Sequence, residues 1–160
     1  MKYRTGIGYD VHRLESGRDL ILGGVKIPFE KVLAGHSDAD VLIHAIIDAI
    51  LGALARGDIG MIFPDTDHKF KDIDSRILLR KVYDIMTKSK YQVNNLDATI
   101  CAQHPKLRPY IDEMRFNLAA DLHTNIDNIS VKATTEEGLG ISGSEAGMTA
   151  QAIVMLIRED

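Results

Sequence analysis

Tryptophan is absent from this 160-residue chain, cysteine occurs once, and aromatic residues make up only 6%. So few rings leave no platform for stacking nucleobases in series, which weighs against a nucleic-acid binder. The net charge of −4 also lacks the basic excess that DNA or an anionic membrane surface would require of a partner. It leaves room for a small anionic substrate, because a bound metal ion and backbone N–H groups supply local positive potential. The lone Cys101 has no internal disulfide partner, so a reducing compartment is expected. Its place in an alternating apolar run reads as a small buried side chain. No apolar run approaches the ~20 residues of a membrane span and no targeting segment precedes the first strand-like pattern, so the expected location is the cytoplasm.

What is present fits one domain over residues 1–160, with 45% hydrophobic and 26% charged residues. Residues 2–9 read as a strand, Tyr3, Thr5 and Ile7 alternating with Arg4 and Gly6, and 19–27 as a hairpin about Gly23-Gly24. Residues 38–56 read as a helix capped by Ser37 or Asp38, with acids in its first turn, Leu42, Ile46, Ile50 and Leu54 in its apolar stretch, and Gly57 at its end. A second helix opens at Asp74 or Ser75 and buries Ile77, Leu78, Val82, Ile85 and Met86; a third has Pro109 in its first turn and packs through Ile111, Met114, Leu118 and Leu122. Strands are expected at 96–102 and 128–134; residues 147–157 are ambiguous, their period-two pattern favouring a strand over a helix. The order suggests α+β or mixed α/β, and of these an α+β fold with a mixed four-stranded sheet packed against helices is expected.

One cluster carries metal chemistry. Asp10 and His12 are two residues apart, so on an extended segment they project to one face. With His44 they form one carboxylate and two imidazoles, a donor set suited to zinc. Three protein ligands leave a fourth position open, as catalytic sites do. His36, Asp40, His44 and Asp48 recur every fourth residue, a polar stripe on an otherwise apolar helix. Burying it costs several kcal/mol unless each group has a partner, and a metal with outer carboxylates such as Asp48 would supply partners.

Three further segments suit phosphates. Gly57-Asp58-Ile59-Gly60 and Phe63-Pro64-Asp65-Thr66-Asp67 form a turn-rich acidic stretch. Ala102-Gln103-His104-Pro105-Lys106-Leu107-Arg108 leaves a strand and enters a helix, whose first N–H groups can hold an anion. Lys132-Ala133-Thr134-Thr135-Glu136-Glu137 ends a strand with hydroxyls that can donate to phosphate and acids that can hold a hard cation.

Read together, Gly8-Tyr9-Asp10-Val11-His12, Gly35-His36-Ser37-Asp38-Ala39-Asp40 with His44, Gly57-Asp58-Ile59-Gly60, Phe63 to Asp67, and Val131-Lys132-Ala133-Thr134-Thr135 resemble the 2-C-methyl-D-erythritol 2,4-cyclodiphosphate synthases over essentially the whole chain. The resemblance implies a chorismate-mutase-like homotrimer with active sites between subunits. It implies a cytidine diphosphate ester of methylerythritol 2-phosphate as substrate, whose 2-phosphate attacks the β-phosphorus and expels CMP. By that resemblance Asp10, His12 and His44 hold one zinc per subunit, Asp10 and His12 also touch substrate, and Glu137 holds magnesium or manganese between the phosphates. His36 and Thr135 steady the phosphates during the reaction, and Ser37 reaches the 2-phosphate. Asp58 and Gly60 contact the methylerythritol, and Ala102 to Arg108 form the cytidine pocket. Ile59, Phe63, Pro64, Asp65, Thr66, Asp67, Thr134, Glu136 and Ile141 complete the substrate contacts. The chain departs from the family pattern at Gly138, Ile141, Ser144 and Ala146; the last two replace an arginine and a glutamate that line the threefold cavity in relatives.

Two other readings use the same residues. A metal-dependent phosphoesterase would activate water at the three ligands, though no side chain stands out as its base. A trimeric binding module with structural zinc would call for a fourth ligand.

Overall fold

The central feature is a strand that turns its apolar side chains outward and its glycines inward. In the computed structural model, which describes residues 1–17 and 19–159, β1 spans Tyr3–Ser16, well beyond the expected 2–9. Tyr3, Ile7, Tyr9 and Val11 are exposed, whereas Gly6, Gly8, Asp10 and His12 share the opposite face. The reason is steric. Helix α1 (Val41–Ala53) lies so close that a Cβ on Gly8 would fall 1.8 Å from the Ala45 carbonyl oxygen, and one on Gly6 would fall 2.0 Å from that of Ala49. Glycine on the strand and alanine on the helix permit backbone-to-backbone contact, and that contact lowers His44 onto Asp10 and His12.

The remaining elements are β2 (Leu20–Leu22), β3 (Val25–Ile27), β4 (Lys31–Leu33), α2 (Ile59–Ile62), α3 (Ser75–Lys88), β5 (Tyr91–Cys101), α4 (Ile111–Asp121), β6 (Ile129–Thr134), α5 (Gly140–Gly143) and β7 (Gly147–Arg158). The main sheet has five strands, not four, in the order β4-β1-β7-β5-β6. The extra edge strand β4 pairs with the unforeseen far end of β1, Leu14 to Ser16. Only β5 and β6 run parallel. The ambiguous 147–157 segment is the central strand, buried where Met148, Ala150, Ala152, Val154 and Leu156 face the helices.

Helix α1 is shorter than expected. Its cap is Asp40 rather than Ser37 or Asp38, its first turn holds no acid, and it ends at Ala53, with Ala55 rather than Gly57 taking the left-handed position that follows. Asp40 accepts the Ile43 N–H at 3.1 Å and the Gly23 and Gly24 N–H groups at 3.0 and 2.8 Å. It therefore joins the helix start to the β2–β3 hairpin, whose two glycines both have positive φ. Complete burial, with Asp38 nearby, pushes its pKa up to about 6 against the pull of those N–H bonds. On α3, Ile77 faces outward and Leu79 takes its place in the core beside Leu78, Val82 and Met86. Pro109 sits in a 3-10 turn, Arg108–Tyr110, just before α4. Cys101 is half-buried rather than fully buried. Among the described residues no helix is long and apolar enough to cross a membrane.

Candidate active site

Three side chains from two elements converge at the floor of a cavity of about 240 Å³. The His12 Nε2 lies 2.9 Å and the His44 Nδ1 3.2 Å from the same Asp10 oxygen, Oδ2, and those two ring nitrogens are 3.1 Å apart. One donor atom from each residue falls within 4.8 Å of the others. Each imidazole is engaged at its remaining nitrogen. The His12 Nδ1 donates to the Ala34 carbonyl at 2.8 Å, which leaves its Nε2 lone pair for a ligand; the His44 Nε2 meets Ser75 Oγ at 2.9 Å and Ser37 Oγ at 3.1 Å. Two oriented imidazoles and a carboxylate with convergent lone pairs suit a metal ion.

The cluster's protonation matches that reading. Burial raises the Asp10 pKa, but hydrogen bonds and charge attraction from His12 and His44 outweigh it and bring the value down to about 2. Burial also opposes charge on His12; the Asp10 carboxylate and the Ala34 carbonyl overcome this and hold its pKa above the ordinary histidine value.

Gly35, His36, Ser37, Ile59, Gly60, Phe63 and Asp65 line the same cavity. The His36 and Asp40 of the expected helical stripe lie off the helix, His36 in the preceding loop with its Nε2 3.4 Å from the Asp67 carbonyl. Asp48 does not touch His44. It accepts the Ile59 N–H at 2.7 Å and so pins the Ile59-Gly60 wall. Asp58 caps α2 by accepting the Met61 N–H at 2.9 Å, outside the lining, as are Pro64, Thr66 and Asp67.

The other sequence-marked residues form a second cavity, about 420 Å³, lined by Ala102, Gln103, Pro105 to Arg108, Ile111 and residues 131–135. The two cavities share one level of the sheet, since Asp10 pairs with Ala150, Ala150 with Ile100 and Ile100 with Ala133. Three strand spacings, about 14 Å, separate them within one chain. Beside the second cavity the paired acids diverge. Glu136 turns back to accept the Ser142 hydroxyl at 2.6 Å, while exposed Glu137, at a positive φ, has only Thr135 Oγ at 3.3 Å. His104 and Lys31 both pair with Glu145, so His104 is drawn off the lining; Ile141 is half exposed on α5. The partners of His104 and Asp48 carry no signal in local sequence, because each lies in a segment brought near by the fold, whereas Ser142 is only six residues beyond Glu136.

The YgbB family model matches residues 3–157. The chain belongs to the YgbB family. A protein from Finegoldia magna named 2-C-methyl-D-erythritol 2,4-cyclodiphosphate synthase is 62% identical over 157 residues, 98% of this chain and 99% of that protein. The bifunctional IspDF from Campylobacter jejuni superposes with a TM-score of 0.95 at 43% identity over 99% of this chain; the chain spans 43% of that longer protein. IspF from Plasmodium falciparum, solved as a CDP complex, superposes with a TM-score of 0.87 at 34% identity, covering 99% of this chain and 98% of its own. The α+β architecture and the mixed five-stranded sheet are thus those of the YgbB fold.

Proposed function

We propose that the chain is a cyclodiphosphate synthase acting as one domain. It converts 4-diphosphocytidyl-2-C-methyl-D-erythritol 2-phosphate to 2-C-methyl-D-erythritol 2,4-cyclodiphosphate and releases CMP. The observation that carries this reading is a three-donor cluster at the floor of one cavity, together with a second, separate cavity walled by the 102–108 segment. Nucleophile and electrophile both belong to the substrate, so the protein's task is positioning and charge neutralisation. Zinc at Asp10, His12 and His44 would supply a Lewis acid for a phosphoryl oxygen. Magnesium or manganese at Glu137 would offset charge between the two phosphates. Ser37 holds its oxygen toward His44 and the Ala39 N–H, at 3.1 and 3.3 Å, which leaves its proton for the 2-phosphate. His36 and Thr135 donate to phosphate oxygens, Asp58 and Gly60 meet the methylerythritol, and the second cavity takes the cytosine through the backbone.

The two cavities of one chain belong to different active sites in a homotrimer. The separation of about three strands supports this, as does an outward sheet face where Ile7 is 68% and Ile153 55% exposed. Clustered exposed apolar residues of this kind favour a partner surface. Incubation with the cytidylyl substrate, zinc and magnesium, followed by phosphorus NMR, is the test. Equimolar cyclic diphosphate and CMP are expected. Inorganic phosphate with no cyclic product would instead establish the phosphoesterase, and no turnover at all a binding module.

A further inference from the structure

Ser75 is fully buried and opens α3, where its hydroxyl is engaged on two sides. Its Oγ lies 2.5 Å from Asp38 Oδ1 and 2.9 Å from His44 Nε2, and its backbone N–H donates to Asp38 Oδ2 at 3.0 Å. A carboxylate has no proton to give, so the Ser75 hydroxyl proton points to Asp38. The serine oxygen then presents only lone pairs to His44, and the imidazole must place its proton on Nε2. His44 Nδ1 is left with a lone pair, and it is Nδ1 that faces Asp10 and His12, at 3.2 and 3.1 Å. We propose that Ser75 is a positioning residue of the active site: oriented by Asp38, it fixes His44 in the Nε2–H tautomer and so presents Nδ1 to the metal. This rests on the reading of Asp10, His12 and His44 as metal ligands.

Ser37 also reaches His44 Nε2, at 3.1 Å, but it lines the open cavity and has no carboxylate to set the direction of its hydroxyl. The orienting role therefore falls to Ser75. Replacing an outer partner of this kind weakens metal binding roughly 10- to 100-fold.

The test is zinc affinity by competition with a chromogenic chelator, with two-bond proton–nitrogen NMR of the histidines in the zinc-loaded protein. Wild type should bind zinc, with His44 metallated at Nδ1 and protonated at Nε2. Ser75→Ala should keep its far-ultraviolet dichroism but bind zinc roughly 10- to 100-fold more weakly and exchange the Nε2 proton faster. Ser75→Thr should restore both. Asp38→Asn, which keeps the serine, should lose about tenfold and covers the case in which Ser75→Ala does not fold. Ser37→Ala should stay within about threefold of wild type, inside the spread of such measurements. A wild-type protein that binds no zinc overturns the metal site itself. A zinc-binding wild type in which Ser75→Ala and Asp38→Asn match it, or in which only Ser37→Ala loses affinity, or in which His44 is metallated at Nε2, overturns the role of Ser75.

Discussion

The two cavities are built by opposite means. The first cavity is lined by β1, α1, the loop before α1 and the segments after it as far as Leu78 on α3, and both of its imidazoles meet a second partner: Ala34 for His12, Ser75 and Ser37 for His44. Its shape comes from side chains seated among buried elements. The second cavity is walled by a run of near neighbours, Ala102, Gln103 and Pro105 to Arg108, against the exposed end of β6, where residues 132–135 all face solvent. Its shape is set by backbone path, and Glu137 beside it keeps a carboxylate with little to hold it in place. On the proposed function, the first construction would suit a centre that holds a small ion, and the second a pocket that receives a flat base and releases CMP.

The contrast can be broken most completely at the strand–helix contact. Gly8→Val places a branched side chain where even a Cβ would meet the Ala45 carbonyl at 1.8 Å. The helix must move away, taking His44 from Asp10 and His12. Destabilisation of at least about 3 kcal/mol by denaturant titration, with no bound zinc by elemental analysis, is the expected outcome. Next in size is the proposed separation of the cavities between copies. Ile7→Asp puts an unpaired charge on the outward face beside Ile153, with which Ile7 pairs. Buried at an interface, that charge costs roughly 3–5 kcal/mol. Sedimentation should show single chains that still bind zinc but turn over at least about 100-fold more slowly. A fully active single chain would refute the division of labour.

Glu137→Gln probes the loosely held carboxylate. Loss of one charge contact in a closed site is worth about 2–4 kcal/mol, a fall of roughly 30- to 1000-fold in kcat with zinc content unchanged. Glu136→Gln should be close to wild type in kcat, since Glu136 spends its carboxylate on Ser142. The reverse pattern would shift the roles along Thr134-Thr135-Glu136-Glu137 by one residue. The smallest effect concerns protons. In the metal-free protein the raised pKa of His12 means its stabilising contribution is complete below 6.5 and fades as pH rises through the higher folded value. That of Asp10 is complete above 3.8 and fades as pH falls toward about 2. Zinc must displace the His12 proton, so its affinity should fall by about tenfold per pH unit below that pKa and level off above it. Metal-free and zinc-loaded protein should therefore lose and gain thermal stability, respectively, as pH rises above 6.5, which scanning calorimetry measures.

Residue types and spacing alone put Asp10 and His12 on one face of an extended segment, beyond the strand expected at 2–9, and His44 on an apolar helix, and those three do come together. They are legible because period two on a strand and period 3.6 on a helix are local geometry. The same rule failed for His36, Asp40 and Asp48 as one stripe. The helix begins after Asp40, because the hairpin glycines supply N–H groups that draw Asp40 into a cap, and Asp48 is claimed by the Ile59 N–H. Spacing could not anticipate either partner.

The sequence by itself determined the family, the donor set and most of the elements, because each rests on residues close together or on a motif order that is read directly. Tertiary structure decided which face of β1 is inward, since that depends on α1 pressing against Gly6 and Gly8. It decided which partners each nitrogen of His44 meets, Asp10 and His12 at Nδ1 and Ser75 at Nε2, all from segments far away in sequence. These are outcomes of contact between distant parts of the chain, and a side chain's chemistry is finally set by what stands opposite it.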